Sequence, residues 1–277
     1  MPPQHGAWAF LALPIAVAAT VTELTWPLLL LAIAWVCAYP VSYFALAAVG
    51  EHGRRNADRR RYIRPALPWA IGLLAAGLPL VALQPWLVLV ALGYLAVSAV
   101  SMAFAWRHDQ RSLAHDFVLI AECAAMVPVA WAVGMGGPLD SPPPPLMWWL
   151  TLVVALGLLS STLHVRSLIR ARGDLRMRRL AVVVPALSML VAVLAAVALG
   201  TAGALALVAP FAYFTCRALL IQRGAGFQQP GVGHGQTGAQ ESDHERRQPA
   251  PKALRPAAIG MIDLGGFVVL VVAAAVA

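Results

Sequence analysis

Glu51-His52-Gly53-Arg54-Arg55-Asn56-Ala57-Asp58-Arg59-Arg60-Arg61-Tyr62-Ile63-Arg64-Pro65 places six arginines between two long apolar stretches, 26–49 and 65–83. A guanidinium is costly to move through hydrocarbon, so a loop of this kind stays on one side of a bilayer while its flanks cross it. The rest of the chain repeats the pattern. Spans of roughly 20 apolar residues are needed at 1.5 Å per residue. The sequence predicts nine, at about 7–21, 26–49, 65–83, 86–106, 117–135, 146–163, 180–199, 202–221 and 257–277. All 20 basic residues follow even-numbered spans. Six follow span two, and Arg107 and Arg111 follow span four. Arg166, Arg170, Arg172, Arg176, Arg178 and Arg179 follow span six; Arg217, Arg223, Arg246, Arg247, Lys252 and Arg255 lie at or after the end of span eight. The gaps after spans one, three, five and seven hold none. The expectation is an all-α, polytopic transmembrane helical bundle, with a cytoplasmic N-terminus and the C-terminus outside.

Composition supports this. Hydrophobic residues make up 60% and charged residues 12%, about half the charged fraction of a soluble domain. The net charge of +8 sits in short loops between spans, where it sets orientation and meets anionic headgroups. That placement argues for membrane lipids as partners and against nucleic acid. Cys37, Cys123 and Cys216 lie far apart in apolar stretches and read as small buried hydrophobes. The N-terminus lacks the positive region of a signal peptide, and Trp8, Pro14 and Glu23 suit a retained first helix. Residues 1–277 are expected to form one transmembrane domain, with 224–256, rich in Gly, Gln, Pro and charge, as a disordered cytoplasmic linker before the last span. Two tight gaps, Gln84-Pro85 and Gly200-Thr201, predict helical hairpins. Matching polar and arginine-rich gaps four spans apart suggest a parallel internal repeat.

The polar residues that are not arginine gather with the arginines. His5, His52, His108, His115 and His164 lie at cytoplasmic span ends, as do Glu51, Asn56, Asp58, Asp109, Asp116 and Asp174; the outer side has Glu23 and Asp140. Longer inner loops account for such asymmetry, and so does a polar pocket open to the cytoplasm. Glu122, within span five, and Asp263, within span nine, favour the pocket. A carboxylate inside a span costs about 2.5–3.5 kcal/mol unless paired or wet. Arg217 could pair with either one, in which case a structural ion pair is the alternative. Clustered guanidiniums suit phosphate or diphosphate. The candidate ligand-binding residues are therefore His5, Asn56, Asp58, Arg64, Glu122, His164, Arg166 and Asp263. The expected ligand is anionic, a prenyl or other phosphorylated lipid. The alternative is a proton-coupled transporter or noncatalytic accessory protein using Glu122 and Asp263. No metal site is expected, because His5, His52, His115 and His164 share no ligand spacing.

Pro3-Gln4-His5-Gly6-Ala7-Trp8-Ala9, followed by Leu13-Pro14, resembles the opening of the YwiC-like family of bacterial membrane proteins. The family's multi-span layout matches the remainder, and the resemblance implies no particular activity. Nine spans with polar motifs after spans two and six are also similar to the UbiA-type prenyltransferases, whose Asp-rich loops hold Mg²⁺ and a prenyl diphosphate. Asn56-Ala57-Asp58 and Arg64-Pro65 look like a reduced first motif, and Asp174 with His164 and Arg166 a reduced second. That resemblance implies Mg²⁺ only if the chemistry is retained, and it leaves the reaction open.

Overall fold

A computed structural model describes residues 7–51, 60–137, 143–169, 171, 174–200, 203–224 and 256–277. His5, Asn56, Asp58 and all but the ends of the expected linker 224–256 lie outside them. The described residues form nine α-helices and one 3₁₀ turn, with no strand. The helices are α1 (Ala7–Ala19), α2 (Trp26–Gly50), α3 (Arg60–Leu83), α4 (Leu87–Trp106), α5 (Leu113–Gly134), α6 (Pro145–Ile169), α7 (Leu175–Leu199), α8 (Val208–Gly224) and α9 (Pro256–Val276). Seven segments are long and apolar enough to cross a membrane: α2 to α7, and Gly203–Gln222, which joins the 3₁₀ turn to α8. The chain is a multi-pass membrane protein. α1 has 13 residues and is short for a span, yet it lies inside the bundle, with Leu11, Leu13, Val17 and Ala18 buried.

Helix boundaries follow local chemistry that hydropathy does not report. α5 begins four residues before the expected 117 because the Ser112 hydroxyl accepts from the His115 amide, satisfying an amide of the first turn. α7 begins five residues before the expected 180 because the Asp174 carboxylate accepts from the Arg176 and Met177 amides. Gly200 ends α7 in the left-handed conformation, φ 66°, which glycine adopts without steric cost. Prolines inside α2, α5 and α7 (Pro40, Pro128 and Pro185) do not interrupt those helices, as is common where neighbouring helices support the freed carbonyls.

Basic and nonbasic junctions separate to opposite ends of the bundle. At one end, Glu51 pairs with Arg61 across the α2–α3 junction, and Gln110 in the α4–α5 turn donates to the Leu46 carbonyl at 3.4 Å. At the same end, Arg166 at the close of α6 meets Asp116 at the start of α5 at 2.6 Å, and Gln222 near the end of α8 donates to the Arg178 carbonyl at 3.2 Å. At the other end, Gln84 in the α3–α4 turn donates to the Val133 carbonyl near the end of α5 at 3.1 Å. A Cβ on Gly134 would meet Thr22, just past α1, and one on Gly203 would meet the Val276 carbonyl near the end of α9. α1 therefore starts at the basic end, and α9 finishes at the opposite one.

Packing is uneven. Half of the apolar window of α6 is buried (50%), against 11% for α3 and for α4. α3 presents Ile63, Leu67, Ile71, Leu74 and Leu78 outward at helical spacing, and α4 presents Leu89, Leu92 and Leu95; such ridges face lipid in a multi-pass protein. The Gln84-Pro85 junction is as tight as expected, but α3 and α4 do not pack as a hairpin. Both lie instead against α2, whereas α7 and α8 do pack on each other. The two halves that the repeat would relate thus differ at this pair.

In a background with the three native cysteines changed to alanine, Pro85→Cys and Arg107→Cys, both at exposed positions, should react with an impermeant maleimide from opposite sides of the membrane. Labelling of both from one side would overturn the assignment of ends.

Candidate functional site

Four polar side chains meet between α6, α8 and α9. Three come from buried positions on apolar helices: Ser161 and His164 on α6, 2% and 0% exposed, and Asp263 on α9, 5%. The fourth is Arg217 on α8, also 5% exposed. Ser161 and His164 stand three residues apart and so share a helix face. The Ser161 hydroxyl donates to one Asp263 carboxylate oxygen at 3.0 Å, and Arg217 pairs with the other. The Arg217 guanidinium also lies over the Phe214 ring, 5.1 Å from its centroid, a favourable stacking for a delocalised cation. His164 lies one turn beyond Ser161 on α6 and is fully buried. Neither of its ring nitrogens has a hydrogen-bond partner among the described residues.

Small residues let the helices close around this group. A Cβ on Gly266 would stand 2.2 Å from Phe214 Cε1, one on Gly265 2.8 Å from the Tyr213 hydroxyl oxygen, and one on Gly157 2.9 Å from Leu270 Cδ1. Glycine at such contacts brings helix axes together, which in lipid is a main source of association. The approach is tight enough for the Tyr213 hydroxyl to donate to the Ile262 carbonyl at 2.7 Å. Phe214, Phe267 and Leu270 then fill the space beneath the polar group as part of the main apolar core.

The other candidate residues divide by location. Arg166 lies two residues beyond His164, held by Asp116 with both side chains about 15% exposed. His115, one residue before Asp116, is buried edge-on against Phe104, with centroids 5.5 Å apart. Glu122 is elsewhere. It is half-buried on α5, its backbone carbonyl accepts from the Tyr94 hydroxyl of α4 at 3.0 Å, and its carboxylate makes no hydrogen bond or ion pair among the described residues. The intramembrane carboxylates thus serve different helix pairs, and Arg217 joins Asp263, not Glu122. Arg64 is exposed on the peripheral α3, apart from the α6–α8–α9 group. His5, Asn56 and Asp58 lie outside the described residues.

Asp174, the second-loop carboxylate of the UbiA-type resemblance, caps α7. Among the described residues, no three His, Cys, Asp or Glu side chains are grouped as metal ligands; Asn56 and Asp58 of the first motif lie outside those residues. Ser161 and Tyr213 were not among the sequence candidates. Ser161 had one available signal, its three-residue spacing from His164.

Removing one member of a buried pair costs about 3–5 kcal/mol, while replacing both with apolar groups is often near neutral. Asp263→Asn should therefore lower the thermal midpoint of detergent-solubilised protein by several degrees. The double change Arg217→Met with Asp263→Leu should recover most of the loss. Equal or additive losses in the double variant would show that the pair does not hold α8 to α9.

No curated protein and no solved structure matches the chain. Residues 1–131 match the family model described as YwiC-like protein, which bears out the resemblance carried by the opening residues.

Proposed function

We propose that this is a bacterial plasma-membrane protein with its N-terminus in the cytoplasm and its C-terminus outside, whose basic end binds an anionic, lipid-linked phosphorylated molecule. The orientation rests on arginine retention at the cytoplasmic face. In intact cells Pro85→Cys would then react with the impermeant reagent and Arg107→Cys would not.

The binding reading rests on His164. A fully enclosed imidazole without a hydrogen-bond partner among the described residues carries an unmet desolvation cost of about 1–3 kcal/mol. Buried polar groups are nearly always satisfied, so an exception calls for a use. A phosphate would accept from one His164 ring N–H and, through its other oxygens, from the guanidiniums of Arg166 and Arg217 beside their carboxylates, because it accepts several charge-assisted hydrogen bonds at once. Arg166 stands two residues beyond His164 along α6, towards the basic end, where it would meet the ligand's charge first. Asp263 and Ser161 hold the charge of Arg217 while the ligand is absent. Entry would require α6, α8 and α9 to part at the basic end, since His164 is closed off from the surface. His5, Asn56 and Asp58 are proposed as further contributors from the adjoining segments, and Arg64 as part of the wider cationic surface. The linker reading of 224–256 and the single-domain reading of 1–277 belong to the same proposal.

Farnesyl diphosphate, a soluble probe carrying both a prenyl chain and a diphosphate, should bind the protein in nanodiscs. His164→Asn and Arg166→Gln should each weaken it about tenfold, the loss of roughly one charge-assisted contact. Arg107→Gln, at the same end but away from the group, should leave affinity unchanged. Equal affinity in all four proteins would remove the proposed site.

A second reading, proton coupling, is favoured by Glu122, a half-buried carboxylate without a partner among the described residues. It predicts proton movement in dye-loaded proteoliposomes that Glu122→Gln abolishes without reducing membrane insertion. Movement that survives the change would dismiss this role for Glu122.

A further inference from the structure

The start of α7 and the end of α8 form a groove lined by Leu175, Arg178, Arg179, Val182, Val183 and Gln222. None of His164, Arg166 and Asp263 lines it, so this site and the one proposed above stand or fail separately. Its chemistry changes along its length. The first turns of α7 bring Arg178 and Arg179 to its upper wall, while Val182 and Val183, one helical turn on, carry the groove into the apolar span. Leu175, Arg179 and Val183 are exposed at four-residue spacing and so form one continuous stripe that is apolar, cationic and apolar in turn. The α8 wall is fixed to the α7 wall, because the Gln222 side-chain amide donates to the Arg178 carbonyl at 3.2 Å. The helix start is set by Asp174, whose carboxylate accepts from the Arg176 and Met177 amides, leaving the guanidiniums on a rigid turn.

We propose that this groove holds one anionic phospholipid, with its phosphodiester against Arg178 and Arg179 and one acyl chain along Val182 and Val183. Charge complementarity selects the occupant. Two guanidiniums at the end of a span lie at headgroup depth, where they attract anionic lipid. The fork of an arginine also matches paired phosphate oxygens better than a point charge does. A free phosphate would use the arginines but leave the two valines unused, and a zwitterionic headgroup would offset the charge that draws it. The apolar lower half therefore favours a lipid over a soluble anion.

The test is native mass spectrometry of the full chain released from nanodiscs containing equal phosphatidylcholine and phosphatidylglycerol. The wild type should retain phosphatidylglycerol over phosphatidylcholine. The double variant Arg178→Gln with Arg179→Gln should lose about tenfold of that preference. Arg107→Gln with Arg111→Gln, which removes the same charge from exposed positions at the same end, should keep it. Equal loss in both double variants would show a diffuse surface effect and overturn the site. Displacement of the retained lipid by millimolar inorganic phosphate would also overturn it, by showing that the apolar half contributes nothing. If the glutamine variant does not fold, Arg178→Lys with Arg179→Lys keeps the charge and should show intermediate retention; retention equal to wild type in that protein would remove the bidentate element of the proposal.

Discussion

A guanidinium in hydrocarbon needs either a partner or an exit to water, and this requirement orders the whole chain. Arg64, Arg107, Arg111, Arg176 and Arg179 take the exit and lie exposed at one end, where Arg61 is exposed and also meets Glu51. Arg166 is partly covered and takes Asp116. Among the described basic side chains, Arg217 alone is buried, and it is met by a carboxylate, a serine-supported geometry and an aromatic face. A lone charge at that depth would cost about as much as a span gains from several leucines. The pairing of Arg217 with Asp263 is thus a condition for α8 and α9 to lie side by side, whatever further use the site has.

The second condition is close approach. Lipid tails are as apolar as leucine, so helices in a membrane gain little from burying leucine alone and more from fitting together. Gly157, Gly265 and Gly266 provide that fit where α6, α8 and α9 meet, directly beneath the polar group. The polar and small residues act together: the glycines bring the backbones near enough for short side chains such as Ser161 to reach Asp263. α3 also approaches α2 closely, since a Cβ on Gly72 would stand 2.9 Å from Cys37 Sγ, but α3 and α4 turn most of their leucines outward.

Much of the architecture was legible in the sequence because it follows from one-dimensional quantities. Hydropathy gave the positions of the helices to within a few residues, and the arginine gaps indicated which junctions share an end. What could not be read was lateral placement. The short turn at Gln84-Pro85 looks like a hairpin, yet α3 and α4 each lie against α2 and not on each other, and nothing in a turn's length encodes that. The same limit applies to the candidate site. Asp263 was recognisable because a carboxylate is costly within a span, and His164 and Arg166 because they gather with the other polar residues at the arginine-bearing end of span six. That Asp263 would take Arg217, leaving Glu122 under Tyr94, depends on helix neighbours, which spacing along the chain does not specify. Ser161 passed unnoticed because serine in an apolar helix usually bonds back to its own turn, as Ser160 does to Leu156.

The pairing of Arg217 with Asp263 also bears on biogenesis. The two residues enter the bilayer on separate helices, α8 first and α9 after a long interval of chain. Until α9 arrives, Arg217 has only the headgroup region to turn to, and a newly inserted α9 carries an acid with no counterion. Docking of α9 therefore neutralises both charges in one step, and a chain cut short before α9 would leave Arg217 without its carboxylate.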